Sequence, residues 1–328
     1  MKKNISIAMT TYNGEKYLSK QLESISNQSL LPDELVICDD ASTDATASII
    51  KEYALNAPFV VRVYLNKENI GYTKNYEKVM SLTSGDLIFL CDQDDIWFPE
   101  KIKSMNQIFQ SEEDLQISVN DCEFYSDDGA FSGGSLLNNS LRVRGYSHIH
   151  GSCTAVTCEL LRICLPLPSD EVGRYGHDDW LHAVGELLNV KKVVGVPYQF
   201  YRRHELNVSQ SPLYSVSKPR ALGRYKYLFS KLTEFSGNGA AHVEMLEKRL
   251  NLVGLLAERV KLQKTIIGDH KYDSYTKRLK DVEFGLKGRI EVSRCCKSSR
   301  LIKACRLYFN GGYKCSSGWR SLVVDLLK

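Results

Sequence analysis

Up to Asp95 the chain alternates apolar runs of strand length with runs of helical character, and this alternation constrains the fold more than any other feature. "NISIAMTTY" (4–12), "LVICDD" (35–40), "VVRVYLN" (60–66) and "DLIFLCDQDD" (86–95) read as strands. Tyr17–Asn27 reads as a helix with apolar positions at Leu18, Leu22 and Ile25. "TDATASIIKEYA" reads as a second helix, opened by the capping residues Ser42 and Asp44, and "YTKNYEKVMSLTSG" as a third, ended by Gly85. Strands and helices joined by short connections imply an α/β fold, a doubly wound, mostly parallel sheet with helices on both faces.

In such a sheet ligands bind at the carboxyl ends of the strands. Polar residues gather there: Thr10, Thr11, Tyr12 and Asn13 after the first strand, Asp39 and Asp40 after the second, Asn66 after the third, and Asp92, Asp94 and Asp95 after the fourth. No GxGxxG follows the first strand, which disfavours an ordinary dinucleotide site, and no GxxxxGK(S/T) occurs, which excludes a P-loop.

"CDQDDIW" is the strongest chemical signal. Carboxylates held together repel one another unless a positive charge sits between them. A divalent-cation site, an acid/base pair and a solvated turn that caps the next helix all fit this pattern. Mg²⁺ and Mn²⁺ prefer hard carboxylate oxygens, and Asp92 and Asp94, two apart on an extended chain, point the same way. Trp97 next to them reads as exposed. A carboxylate after the second strand can accept hydrogen bonds from a ribose or a base, with Tyr12 stacking across the cleft, or it can simply form an Asx turn. "GRYGHDDWLH" places Asp178 and Asp179 at a helix start, as caps or as a general base. In "FYRRHELNVS", Arg202 and Arg203 can bind phosphate, and His204 is either a metal ligand or a locally satisfied polar residue.

The middle of the chain is less regular. Strands are expected near "QISVNDCEFYS", "HIHGSCTAVT" and "VKKVVGVPYQFYRRH", helices near "ELLRICL" and "HDDWLHAVGELL", and a loop over 129–140. Beyond Pro219 the sequence turns helical and basic, with helical periodicity over 240–266 and 271–292. Residues 1–215 carry 19 Lys and Arg against 29 Asp and Glu; residues 216–328 carry 24 against 10. An acidic front and a basic back predict two parts, 1–215 and 216–328, with the second able to face an anionic membrane surface, an acidic substrate or nucleic acid. No aromatic-basic motif supports nucleic acid. At 328 residues and 43% hydrophobic, the chain can bury a real core. Its ten cysteines form no zinc spacing and read as small buried hydrophobes. No long apolar stretch predicts a signal peptide or a membrane span, so the expected location is the cytoplasm, including its membrane face.

Taken together, these stretches resemble inverting glycosyltransferases of family 2, which have the GT-A fold. The likeness covers about residues 4–210. "SIAMTTYNGEKYLSKQLESISNQS" is similar to the family's opening strand and helix, and "VICDDASTDAT" to its DDxSxD element. "NIGYTKNYEKVMSLTSGDLIFLCDQDDIW" is similar to its N-x-G…N…A-x-G-x-(F/I)-x-D-x-D-D stretch, and "HDDWL" to ED-x-x-L. "DQDDIW" and "YRRHELNVS" most resemble the subgroup that builds bacterial O-antigens and capsules.

The resemblance implies a donor site formed by Thr10, Thr11, Tyr12, Asn13, Asp40, Asn69, Asp92 and Arg203. It implies Mn²⁺ or Mg²⁺ held by Asp92, Asp94 and His204, with Asp178 as general base because Leu181 stands at the element's leucine. Two departures are His177 in place of the usual Glu, and a second carboxylate, Asp179. The implied partners are a nucleotide-sugar donor (UDP-hexose, UDP-N-acetylhexosamine or dTDP-rhamnose), a polyprenyl-diphosphate-linked saccharide acceptor and an anionic membrane surface, without nucleic acid. The competing classes are a metal-dependent phosphoryl-transfer enzyme, which usually needs an aspartate on the first strand where this chain has Thr-Thr-Tyr-Asn, and a non-catalytic binding module.

Overall fold

The structure is a computed structural model that describes residues 3–126, 131–135, 150–168, 176–204 and 239–327. The side chain of Arg203 and the expected boundary near residue 215 lie outside the described residues. The chain divides into two compact units, one of Met1–Leu167, Tyr175–Gly185 and Val190–Lys218, the other chiefly Pro219–Lys328 with the short segments Pro168–Arg174 and Glu186–Asn189.

The first unit is built on one mixed nine-stranded sheet. β1 (Ile5–Thr11) pairs in parallel with β2 (Glu34–Asp39) on one side and β4 (Leu87–Cys91) on the other, and β2 pairs in parallel with β3 (Val60–Leu65). Past β4 the sheet continues through β8 (Thr154–Thr157), β6 (Ile117–Ser126), β9 (Lys191–Arg203) and β5 (Ile96–Trp97), giving the order β3-β2-β1-β4-β8-β6-β9-β5. Here β4–β8, β8–β6 and β9–β5 are antiparallel while β6–β9 is parallel.

β2 and β4 are buried along their whole length, as expected for strands covered on both faces. Ile5, Ile7, Met9, Leu35, Ile37, Leu87 and Phe89 form one core with Leu18, Leu22 and Ile25 of α1 (Leu18–Ser26). Full burial of each such side chain stabilises the fold by roughly 1.5–3 kcal/mol. Helices α2 (Thr46–Asn56), α3 (Tyr72–Leu82), α4 (Lys101–Ser111), α5 (Cys158–Cys164) and α6 (His177–Leu188) complete the unit.

Several local expectations change. α3 ends at Leu82, with Thr83 as its extended cap, so Gly85 does not terminate it. Gly85 instead allows close backbone approach, because a Cβ there would stand 2.8 Å from Ser6 N and 2.9 Å from Asn4 O. Ser42 does not cap α2; Asp44 accepts from Thr46 N at its first turn, and Ser42 serves the β2 end. β4 stops at Cys91 and the chain bends through 93–94, so the acidic residues leave the strand. Trp97 is buried against Phe89, not exposed. Within the expected loop 129–140, Phe131–Ser135 forms β7, paired antiparallel to β6.

The second unit holds α7 (Gly239–Leu262), α8 (Lys264–Arg294), α9 (Lys297–Phe309) and α10 (Trp319–Leu327). α8 is broken near its start at Gly268, which takes φ 78°. Such a value costs glycine little and a Cβ-bearing residue more. Its core holds a buried polar cluster centred on one carboxylate. Fully buried Asp325 accepts from Arg289 Nε and Nη2 at 2.8 and 2.9 Å and from Tyr313 OH at 3.0 Å, and pairs with His242 Nε2 at 2.8 Å. This one side chain ties α7, α8 and α10 together. Asp325→Ala strands a buried guanidinium, and the expected loss is roughly 3–5 kcal/mol. Chemical denaturation monitored by far-ultraviolet dichroism checks it; a variant as stable as the parent contradicts the role given to Asp325.

Candidate active site

The strand order reverses between β1 and β4, and such switch points open a crevice at the carboxyl ends of the strands. Gln93 clamps the two strand tips there. Tyr12 N donates to Gln93 Oε1 and Gln93 Nε2 donates to Tyr12 O, both at 2.9 Å. The Tyr12 ring is left 47% exposed, available as a stacking surface at the crevice.

Asp92 leads out of β4. Its Oδ1 accepts a short hydrogen bond from Tyr76 OH on α3, and the Thr10 side chain bonds the same hydroxyl. Burial, and then the neighbouring charge of Asp94, push the Asp92 carboxyl up to about 7. The Tyr76 hydroxyl is pushed well up by burial and by Asp92, which keeps it a donor. Asp94 turns toward the end of β9, where its Oδ2 lies 2.8 Å from His204 Nε2 and its carbonyl accepts from Arg202 Nε at 2.9 Å. His204 stacks on Tyr17, with ring centroids 4.6 Å apart. The Arg202 guanidinium lies over the rings of Tyr17 and Tyr125 at 4.9 and 5.0 Å.

Asp95 is not at the surface with its neighbours. It is fully buried, accepts from Gln199 Nε2 at 2.7 Å, and is pushed well above the ordinary carboxylate range by burial and by Asp94 and Asp92. Gln199 Oε1 accepts from fully buried Lys101, whose ammonium also donates to Ser152 O at 2.9 Å and sits 3.9 Å over the Trp97 ring. A polar floor of Asp95, Gln199, Lys101 and Ser152 therefore supports the acidic loop.

Asp178 enters from the first turn of α6, which fully buried Trp180 anchors through Nε1 to Cys164 O at 2.9 Å. Its charge adds to the upward push on Asp92, so the two carboxyls share one electrostatic neighbourhood. Asp178 is partly buried and Asp179 exposed. Before them His177 is buried, stacked on Tyr76 at 3.7 Å, and burial pulls its pKa down, so it does not neutralise the cluster. Gly151 permits this approach: a Cβ there would stand 2.6 Å from His177 Nε2 and 3.3 Å from Asp178 Cβ.

The β2 end is tightly wired. Asp39 accepts from Thr11 Oγ1 at 2.7 Å and from Ser42 N and Oγ at 2.9 and 2.6 Å. Asp40 accepts from Asn66 Nδ2, Ile70 N and Gly71 N at 2.8–2.9 Å. Asn69 Oδ1 accepts from Gly71 N at 3.1 Å. Asn13 takes a left-handed φ of 46°, which asparagine tolerates, and spends its amide oxygen on Thr43 N at 2.9 Å. The structure thus brings Thr10, Tyr12, Asp92 and Asp178 around one crevice, pairs Asp94 with His204, and gives Thr11, Asn13, Asp40 and Asn69 loop-holding bonds.

Sequence reasoning passed over Gln93, Tyr76 and the buried Lys101–Gln199 pair. Gln93 carried a signal, an amide set between carboxylates; the others carried none. A divalent cation fits this set of side chains. Crowded carboxylates whose mutual charge raises Asp92 are relieved by a cation, and carboxylate oxygens with one imidazole suit Mn²⁺ or Mg²⁺. Among the described residues no three His, Cys, Asp or Glu side chains converge closely enough to enclose an ion by themselves.

Residues 6–157 match the model of glycosyl transferase family 2. The dTDP-rhamnosyl transferase RfbG of Shigella flexneri is 37% identical over 100 residues, 29% of this chain and 35% of that protein. The putative glycosyltransferase EpsE of Bacillus subtilis is 34% identical over 113 residues, 34% of this chain and 41% of that one. The chain thus spans little more than a third of the length of the curated relatives it matches. Among solved structures, S. aureus TarS 1-349 in complex with UDP superposes with a TM-score of 0.51 at 18% identity, over 94% of this chain and 92% of that one. The mannosyltransferase PcManGT of Pyrobaculum calidifontis, in complex with GDP-Man and Mn²⁺, gives 0.50 at 15%, over 100% and 87%. Likeness at these identities establishes the GT-A fold, and the match to the glycosyl transferase family 2 model lies within it, over residues 6–157, a little under half of the chain.

Proposed function

We propose that this chain transfers a sugar from a nucleotide-sugar donor to a saccharide acceptor carried on a lipid diphosphate, with inversion and with a divalent cation, in the assembly of a bacterial surface polysaccharide. The observation that carries the reading is the acidic loop at the β1/β4 switch point, with Asp178 in its electrostatic neighbourhood. The names of relatives support a deoxysugar or hexose donor, dTDP-rhamnose being the class named for RfbG. UDP-hexose and UDP-N-acetylhexosamine share the same recognition chemistry.

Tyr12 stacks on the base, and the loops tied by Asp40 and Asn13 shape the nucleotide's seat. Asp92, Asp94 and His204 are the side chains that would hold Mn²⁺ or Mg²⁺, completed by oxygens of the donor diphosphate, and the ion would neutralise the charge that develops on the departing diphosphate. Asp178 takes the proton from the acceptor hydroxyl as its oxygen bonds to the anomeric carbon. The bond from that carbon to the diphosphate oxygen breaks on the opposite face, and one displacement inverts the centre. Burial holds the His177 pKa down, which works against a positive charge on the residue before Asp178.

Thermal denaturation with a panel of nucleotide sugars, each with and without Mn²⁺, tests the reading. One donor class should raise the midpoint, and only with the cation present. A panel without any shift contradicts it.

The raised Asp92 adds a pH dependence. With its carboxyl titrating at about 7, the cation-free protein holds a proton that the unfolded chain releases near the ordinary carboxylate value. This group therefore favours the folded state less and less as pH rises through that window. A cation must displace the proton, so Mn²⁺ affinity is expected to rise between about pH 6 and pH 8 with proton release on binding. Calorimetry in buffers of different ionisation enthalpy checks it; an affinity flat across that range contradicts the site.

A further inference from the structure

The two last helices of the second unit each pack one set of apolar side chains and leave another exposed. On α9, Ala304 and Leu307 join Val292 and Tyr313 in a buried cluster. On α10, Leu322 and Leu326 pack against the same cluster, and Asp325 is buried between them in sequence. The opposite face of α9 shows Leu301, Ile302, Cys305, Tyr308 and Phe309, the i, i+1, i+4, i+7, i+8 spacing of one helical stripe. Phe309 is 84% exposed and Ile302 66%. On α10, Trp319, Val323 and Leu327, four apart, continue the packed Leu322 and Leu326 stripe into solvent, with Leu327 79% exposed. Single exposed apolar side chains are ordinary, but stripes on consecutive helices mark an interaction surface.

Charge selects the partner. Residues 295–328 carry seven Lys and Arg and one acidic residue, the buried Asp325. Along α9, Arg306 and Lys303 follow the apolar stripe on one side, while Arg300 turns back to the carbonyls of Ser293 and Cys295. Among the described residues no ion pair neutralises Lys303, Arg306 or Arg320. Arg320 lies over the exposed Trp319 ring at 5.8 Å. A second copy would bring like charges face to face, which opposes a symmetric dimer. An apolar stripe with aromatic residues and a basic rim matches the boundary between lipid headgroups and acyl chains. No described helix is long and apolar enough to cross a membrane. A helix of this kind lies in the interface plane, its Lys and Arg stems reaching the headgroups.

We infer that the exposed faces of α9 and α10 form an interfacial docking surface for membranes containing anionic phospholipid. It gives the basic part of the chain a defined contact, and it holds whether or not the sugar-transfer reading does. The test is co-sedimentation of the full chain with vesicles of phosphatidylcholine alone and of phosphatidylcholine with about one-third phosphatidylglycerol. Binding is expected to the anionic vesicles, to weaken as salt rises, and to fall at least about tenfold in Ile302→Glu/Phe309→Glu. Both substitutions sit on the exposed face, so an unchanged melting midpoint certifies the fold. Trp319 supplies a second readout, a blue-shifted emission on vesicles that Trp319→Phe removes while Trp97 and Trp180 stay buried. Equal binding by parent and double variant overturns the inference. So does loss of self-association in the double variant without vesicle binding by the parent, which would assign the face to a second copy.

Discussion

Asp94→Ala is expected to reduce sugar transfer at least about a hundredfold while leaving the cation-free protein as stable as before, or more so. Both halves follow from one arrangement. Asp94 faces His204 at the mouth of β9, and its charge is a cause of the upward shifts of Asp92 and Asp95. Removing it relieves repulsion among buried carboxyls, so the fold gains what the site loses, the usual trade at a functional cluster. The bond from Arg202 to the residue 94 carbonyl survives truncation, which confines the change to the carboxylate. Transfer rates with Mn²⁺ and with EDTA, beside melting midpoints without cation, check it. Full activity of the variant, or of the parent in EDTA, removes the cation from the account.

Asp178→Asn is expected to lower transfer by roughly 10²–10⁴-fold, the usual worth of a general base, with donor and Mn²⁺ binding near that of the parent. An acceptor hydroxyl is a poor nucleophile until a carboxylate within hydrogen-bond reach takes its proton. Asp178 is partly buried beside Gly151, it stands in the first turn of α6, and its charge is felt at Asp92. Asp179, one residue on, is exposed, so Asp179→Asn should cost far less. An inactive Asp179→Asn with donor binding intact moves the base by one residue. Two active variants place it elsewhere.

The parallel half of the fold was legible because β1, β2 and β4 are covered on both faces and therefore read as unbroken apolar runs with polar ends. The other half mixes parallel and antiparallel pairs among short strands, and no local pattern distinguishes them. The acidic loop was visible, but its sorting was not. Asp92, Asp94 and Asp95 look alike in sequence, yet Tyr76, His204 and Gln199 draw them in three directions. The bond from Gln199 to Asp95 spans 104 residues, and that from Lys101 to Gln199 spans 98, so nothing in either neighbourhood announces them. Trp97 misled differently, because Lys101, four residues on, and Phe89 of β4 cover a ring that polar neighbours made look exposed. The departure at His177 acquires a meaning only in space, where the ring stacks on the tyrosine that holds Asp92.

The central claim is that the crevice at the β1/β4 switch point binds a nucleotide sugar through a divalent cation and releases the nucleoside diphosphate as the sugar moves. The most direct measurement is nucleoside diphosphate release from a panel of nucleotide sugars incubated with the full chain, Mn²⁺ and a bacterial lipid extract. One donor should be consumed, with diphosphate formed in step with sugar recovered in the lipid fraction, and EDTA or Asp94→Ala should stop both. Phosphate release from simple esters, with every nucleotide sugar left intact, would contradict the account.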